Sequence, residues 1–210
     1  AAPNGMFMNF SPPKQDRSRL TTDAYLDALE ACLNVTGMTR TTIEQVATRA
    51  GLGRGAFIRR FGSKRQAVLV LYDRYAGVCV EELEAQLKKA ATCTAPETFL
   101  AELYAATECM HGIHFGLNMA MLQDFADELA TADGTKRVFR AFVSVMAALQ
   151  SRFLPSAAIS PEGRYAASQL IVTTSLNYVL RAMPGMPRDA DRRHALMGRI
   201  AWLALSQLPE

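Results

Sequence analysis

The chain has 210 residues, half of them apolar and a fifth charged, a balance that suits a folded globular protein and excludes a disordered one. Its longest apolar run, Ser168 to Leu180, is broken by Asn177 and by hydroxyl residues, so it falls short of the roughly 18 uncharged residues a membrane span needs. The net charge of +3 is uneven: residues 1–65 carry 10 Lys/Arg against 5 Asp/Glu, hence +5, and the remainder 13 against 15, hence −2.

A cationic module ahead of a near-neutral body suits contact with a polyanion at one end. Residues 1–10 lack the basic start and apolar length of a secretory signal, so the expected compartment is the cytoplasm. Cys32, Cys79, Cys93 and Cys109 form no CxxC pair, and thiols are expected rather than a disulfide frame or zinc ribbon.

Sustained period-two alternation is missing, so the fold class expected is all-α. In chain order, Ser11 to Arg17 contains Pro12 and Pro13 and reads as part of a flexible arm over residues 1–20. A first helix is expected from Thr22 to Val35, where Tyr25, Leu29, Cys32 and Leu33 recur at i, i+4, i+7 and i+8, with Gly37 as its stop. Two short helices follow, Thr42 to Ala50 and Arg54 to Phe61, separated by Gly51-Leu52-Gly53. Ile43, Val46, Ala47 and Ala50 make one apolar face, and Phe57 and Phe61 the matching pair. Thr41 with Glu44, and Ser63 with Gln66, have capping-box spacing.

Longer helices are expected over Ser63 to Lys89, Pro96 to Met110, Leu117 to Asp127, Gly134 to Phe153, Pro161 to Ala182 and Asp189 to Gln207. The organisation predicted is an arm (1–20), a three-helix domain (21–66) and a helical bundle (67–210), with the boundary inside the fourth helix.

The run from Thr41 to Val68 resembles the TetR family of ligand-responsive transcriptional regulators. The residues that carry the resemblance are Thr41, Thr42, Val46, Ala47, Ala50, Gly51, Gly55, Phe57, Phe61, Ser63 and Lys64. It implies a helix-turn-helix whose second helix enters the major groove while its first lies across the backbone. With Phe57 and Phe61 turned inward, the expected DNA contacts are Thr42, Arg54, Ala56, Ile58, Arg59, Arg60 and Lys64. Arginine can bond guanine bidentately, and Ala56 or Ile58 can touch a thymine methyl. Thr42 and Lys64, at the starts of flanking helices, suit phosphate. On this reading, replacing Arg54 or Arg60 by alanine lowers operator affinity, and replacing Lys64 weakens binding to all sequences alike. Two positions depart from the family pattern: Ile58 stands where a phosphate-binding tyrosine is common, and Gly53 where serine is common.

The resemblance further implies a C-terminal body that holds a small hydrophobic effector and forms a homodimer through residues 161–182 and 189–207. Tyr165, Ser168, Ile171, Val172, Ser175, Leu176, Val179 and Ala182, with Leu196, Ile200, Trp202, Leu203 and Leu205, supply the broad faces this needs. The effector pocket candidates are Tyr104, His111, His114, Asn118, Phe142 and Asn177, polar groups on apolar walls with one aromatic. Cys109, His111 and His114 lie within six residues of one another, but Cys109 and His111 diverge on a helix and no second cluster completes a tetrahedral site, so no metal is expected. No Ser-His-Asp signature, Glu-x-x-His pair or phosphate loop is present, so neither catalysis nor a cofactor is expected. A ligand-released repressor on palindromic DNA is the leading expectation. An activator of the same architecture, or a helical carrier or enzyme with a basic lobe, is the alternative.

Overall fold

Helix-forming residues with caps at their boundaries organise the chain into ten helices among the residues described, which are 16–154, 160–181 and 183–207 of a computed structural model. In order they are α1 (Asp16–Arg40), α2 (Ile43–Arg49), α3 (Arg54–Phe61), α4 (Lys64–Ala90), α5 (Pro96–Ile113), α6 (Phe115–Asp124), α7 (Ala126–Thr131), α8 (Asp133–Phe153), α9 (Pro161–Leu180) and α10 (Ala190–Gln207).

Three expectations change at the level of elements. The first helix begins at Asp16 rather than Thr22, so the final residues of the expected arm are helical; residues 1–15 of that arm lie outside the described residues. The early start has a tertiary cause given below. Gly37 does interrupt α1, with φ 72° and ψ 173°, but a further turn runs on to Arg40 before Thr41 closes it by donating its hydroxyl and its amide to Gly37 O. The segment expected as one helix from Leu117 to Asp127 is two, broken at the fully buried Phe125. Ala182, the expected end of the ninth helix, lies outside the described residues.

Two compact units emerge. The first is built from residues up to Tyr75 together with Gly116–Leu129, and the second from Ala76–Phe115 and Ala130 onward. The division falls inside α4, and α6 with most of α7 joins the first unit instead of the bundle. Within that unit Gly116 sits against α1 so closely that a Cβ there would lie 2.3 Å from Leu33 C, and its amide donates to Asn34 Oδ1 at 2.7 Å. Arg65 near the start of α4 donates to Asp124 O and to Glu128, and its guanidinium covers the Phe125 ring at 4.3 Å.

The second unit has a core of Leu100, Leu103, Phe142, Val145, Met146, Leu149, Ile171, Met197, Ala201 and Leu205, among others. Here α10 crosses α5 at Gly198, where a Cβ would meet Glu97 O at 2.4 Å and Ala101 N at 2.7 Å. Only a residue without a side chain permits that approach. Gln150, wholly buried, donates to Ser160 O and Leu205 O and accepts from Arg164, a polar tie with all its amide valences used across α8, α9 and α10.

Candidate nucleic-acid interface

The two short helices are fixed from beneath by α1. Tyr25, Phe57 and Phe61 are buried together, with the Tyr25 ring edge-on to Phe57 at 5.4 Å and to Phe61 at 6.1 Å. The Tyr25 hydroxyl donates to Gly53 O at 2.7 Å, so the turn between α2 and α3 is tied to the first helix. Burial raises the pKa of this phenol, against the pull of Arg60 and Arg59, which keeps it a donor. The start of α2 carries a complete capping box, but it is Thr42 with Gln45, one residue later than the expected Thr41 with Glu44. Thr41 is excluded from the cap because its hydroxyl is turned back to Gly37 O and Thr36.

With Phe57 and Phe61 inward, α3 presents Arg54, Gly55, Ile58 and Arg59 to solvent, positions i, i+1, i+4 and i+5 of one face. Ile58 is 38% exposed, large for an isoleucine held by flanking arginines. Gly55, which sequence reasoning passed over as a contact, leaves bare backbone on this face, with Arg59 Nη1 3.4 Å from where a Cβ would stand. Arg54 pairs with Glu44 of α2, Nε to Oε1 at 3.1 Å, with both side chains largely solvated. Ala56 is only partly exposed and sits at the edge of the face.

Two expected contacts are placed differently. Arg60 is turned away from the exposed face: its guanidinium donates to Ser18 O at 3.0 Å, to Ser18 Oγ at 3.1 Å and to Thr22 Oγ1. Those bonds hold the first turn of α1 in helical form, the cause of its early start. Lys64 Nζ donates to Met38 O and Thr41 O, both at 2.7 Å, closing the α1–α2 corner and leaving one of its three donors for a phosphate. Thr42 stays exposed, with its hydroxyl accepting from Gln45 N.

The expected pocket residues differ in unit and in burial. Asn118 belongs to the first unit and the other five to the second. Asn177 is exposed and its amide donates to Thr173 O of its own helix, and Phe142 packs into the apolar core. His114 is partly buried at the C-cap of α5, and Cys109 is exposed. Tyr104 and His111 do face inward. His111 Nδ1 lies 3.2 Å from Ser175 Oγ, and with the Ser175 hydrogen on Ile171 O at 2.7 Å this contact suits the tautomer protonated on Nδ1. Desolvation, with His114 adding to it, lowers its pKa to about 4. Sequence reasoning missed Glu108, Arg193 and His194, which join Tyr104 in a polar layer between α5 and α10. Arg193 is bidentate on Glu108 at 2.6 and 2.8 Å, donates to Pro187 O and Arg188 O, and stacks on Tyr178 at 3.8 Å. The spacing of Tyr104, Glu108 and His111 at i, i+4 and i+7 was the available signal.

On the expected dimer helices, Ser168, Ile171, Ser175 and Leu205 are consumed inside the protomer, whereas Tyr165, Ile200 and Leu203 are exposed at 55%, 37% and 49%.

A short two-helix unit with a solvent-facing second helix is the geometry of a helix-turn-helix. Residues 26–69 match the family of bacterial regulatory proteins, tetR family. The whole fold is similar to that of a TetR-family transcriptional regulator from Mesorhizobium loti (TM-score 0.68, 17% identity, 90% of this chain and 98% of that one). It is also similar to the fatty acid degradation regulator FadR from Bacillus halodurans (TM-score 0.66, 17% identity, 94% and 98%). FadR from Bacillus subtilis in complex with stearoyl-CoA shares the fold too (TM-score 0.62, 15% identity, 89% and 98%). No curated protein matches the chain by sequence. Residues 26–69 thus carry the tetR-family match and the whole chain shares the fold of these regulators, and no helix among its described residues is long and apolar enough to cross a membrane.

Proposed function

We propose that the protein is a cytoplasmic repressor that grips palindromic operator DNA as a homodimer and lets go when a small hydrophobic effector binds in the second unit. The observation that carries this is the exposed face of α3, where Arg54, Ile58 and Arg59 surround a bare Gly55. Such a face lets backbone approach the bases, with Arg59 and Arg54 on guanine edges and Ile58 on a thymine methyl. The Thr42 hydroxyl and the remaining Lys64 donor take phosphates, and Arg60 positions α3 instead of touching DNA. The boundary between reader and sensor lies inside α4, with α6 serving the reader. Tyr165, Ile200 and Leu203 supply the apolar centre of the dimer face, which sets two recognition helices one DNA turn, about 34 to 36 Å, or a multiple of it apart. An apolar effector is supported by the hydrocarbon-rich interior of the second unit and by the stearoyl-CoA held by FadR from Bacillus subtilis. Release then requires that the effector bind the non-operator conformation more tightly.

The test is a fluorescence-anisotropy titration against DNA from the protein's own promoter region and a scrambled duplex. Preference for the promoter duplex by about 1,000-fold or more is expected. Equal affinity for both sequences would overturn the reading.

A further inference from the structure

The polar layer of the second unit is satisfied everywhere but at two neighbouring atoms. Arg193 spends four of its five N–H donors on Glu108, Pro187 O and Arg188 O, and its plane lies over the Tyr178 ring. The Tyr104 hydroxyl, on a side chain with 0% exposure, has no hydrogen-bond partner, and neither has His194 Nε2. The Thr174 hydroxyl lies beside Tyr104 yet falls outside hydrogen-bond geometry, and its own hydrogen goes to Leu170 O. The Tyr104 and His194 rings lie against each other, centroids 5.8 Å apart and tilted by 54°, so both unpaired atoms belong to one ring pair. A buried hydroxyl left unpaired costs about 1 to 3 kcal/mol, and natural interiors rarely tolerate the loss without a ligand or water to recover it.

The charges around these atoms select the group. Glu108 Oε1 stands 3.6 Å from His194 Nε2, so in the tautomer that faces this carboxylate Nε2 is, like the Tyr104 O–H, a donor. Both therefore seek an acceptor. Glu108 already neutralises Arg193, so the layer offers no spare positive charge, and a carboxylate entering here meets another carboxylate. Leu100, Leu103, Ile171 and Met197 of the same three helices belong, with Tyr104, to one apolar core cluster.

We propose that Tyr104 and His194 form a recognition site for an uncharged acceptor, a ketone, aldehyde or ester oxygen, at the end of an apolar effector. This rests on the reading of the second unit as a sensor. The probes are decane, 2-decanone and decanoate, three chains that differ in their head group, with Kd measured by tryptophan fluorescence and operator release by anisotropy. The ketone is expected to bind about tenfold tighter than the alkane and than decanoate. Tyr104→Phe should remove the ketone's advantage over the alkane without lowering the melting temperature of the unliganded protein, since no hydrogen bond is lost. His194→Gln, which keeps a donor, should retain part of it. Equal binding of all three, binding of none, or an advantage that survives Tyr104→Phe overturns the inference, as does a Tyr104→Phe protein that melts lower, which would mark a structural hydroxyl. The operator affinity of the untreated protein is read in the same titration, so a lost ligand response leaves the DNA-binding reading standing.

Discussion

Arg59 and Arg60 are neighbours in sequence with opposite fates. Arg59 is exposed on the α3 face, and Arg60 is spent on Ser18 and Thr22. Arg59→Ala is therefore expected to weaken operator binding by about 1 to 3 kcal/mol, with the melting temperature unchanged. Arg60→Ala should instead cost about 2 kcal/mol of stability and weaken binding to every sequence together. Thermal melts beside anisotropy titrations separate the two, and a stable Arg60→Ala protein with relaxed specificity would reverse the assignment. Glu44 pairs with Arg54 beside that face, so Glu44→Gln should raise affinity for all duplexes several-fold, most at low salt. His111 gives a pH effect with a definite sign. Its folded pKa of about 4 lies below the ordinary 6.5, so the unfolded chain binds the proton first as pH falls. Stability is whole above about pH 6.5 and declines towards pH 4, by about 2 kcal/mol between pH 7 and pH 5. Urea melts should show this slope, and in His111→Gln it should vanish. None of this was legible in composition: the partners of Arg60 lie some forty residues upstream, in a stretch whose prolines point to an arm, and a histidine on an apolar helix face reads the same whether it binds an effector or a serine.

Helix type and order were legible because spacing within a helix is local. Phe57 and Phe61, four apart, announce the buried side of α3, and Pro96 and Pro161 mark helix starts that the structure keeps. The misread pieces are those decided by distant contacts: the start of α1, the break at Phe125, and the burial of Ile171 and Ser175 on a helix expected to face a partner. Two glycines inside helices make the same point in energy. Gly77 in α4 has nothing within 4 Å of an added Cβ, so Gly77→Ala should stabilise the protein by about 0.5 to 1 kcal/mol through backbone entropy alone. Gly198→Ala drives a methyl into the α5 backbone and should cost about 3 kcal/mol or more. Calorimetric melts of the two variants check both signs, and a stabilised Gly198→Ala protein would refute the close crossing of α5 and α10.

For the molecule as a whole, the proposed function calls for two copies, because one exposed α3 face covers too few base edges for operator specificity. Leu203→Asp puts a charge on the proposed dimer face, one turn from Ile200, and is expected to yield a folded monomer whose operator affinity falls at least about a hundredfold. Sedimentation velocity and the anisotropy assay read the two effects, and a dimer that persists in this variant would move the interface elsewhere. The clamp of Gly116 on α1, and of Arg65 on Asp124 and Glu128, bears on a different stage of the protein's life. The first unit is not a contiguous stretch of chain, since its last pieces, α6 and most of α7, are encoded after the whole of α5. On the ribosome the unit cannot close until about residue 129 has emerged, several seconds after α3 at ordinary rates of synthesis. A nascent or truncated chain ending before α6 would thus carry the recognition helix without its clamp, and so would any chimaera that joins the two units at Tyr75.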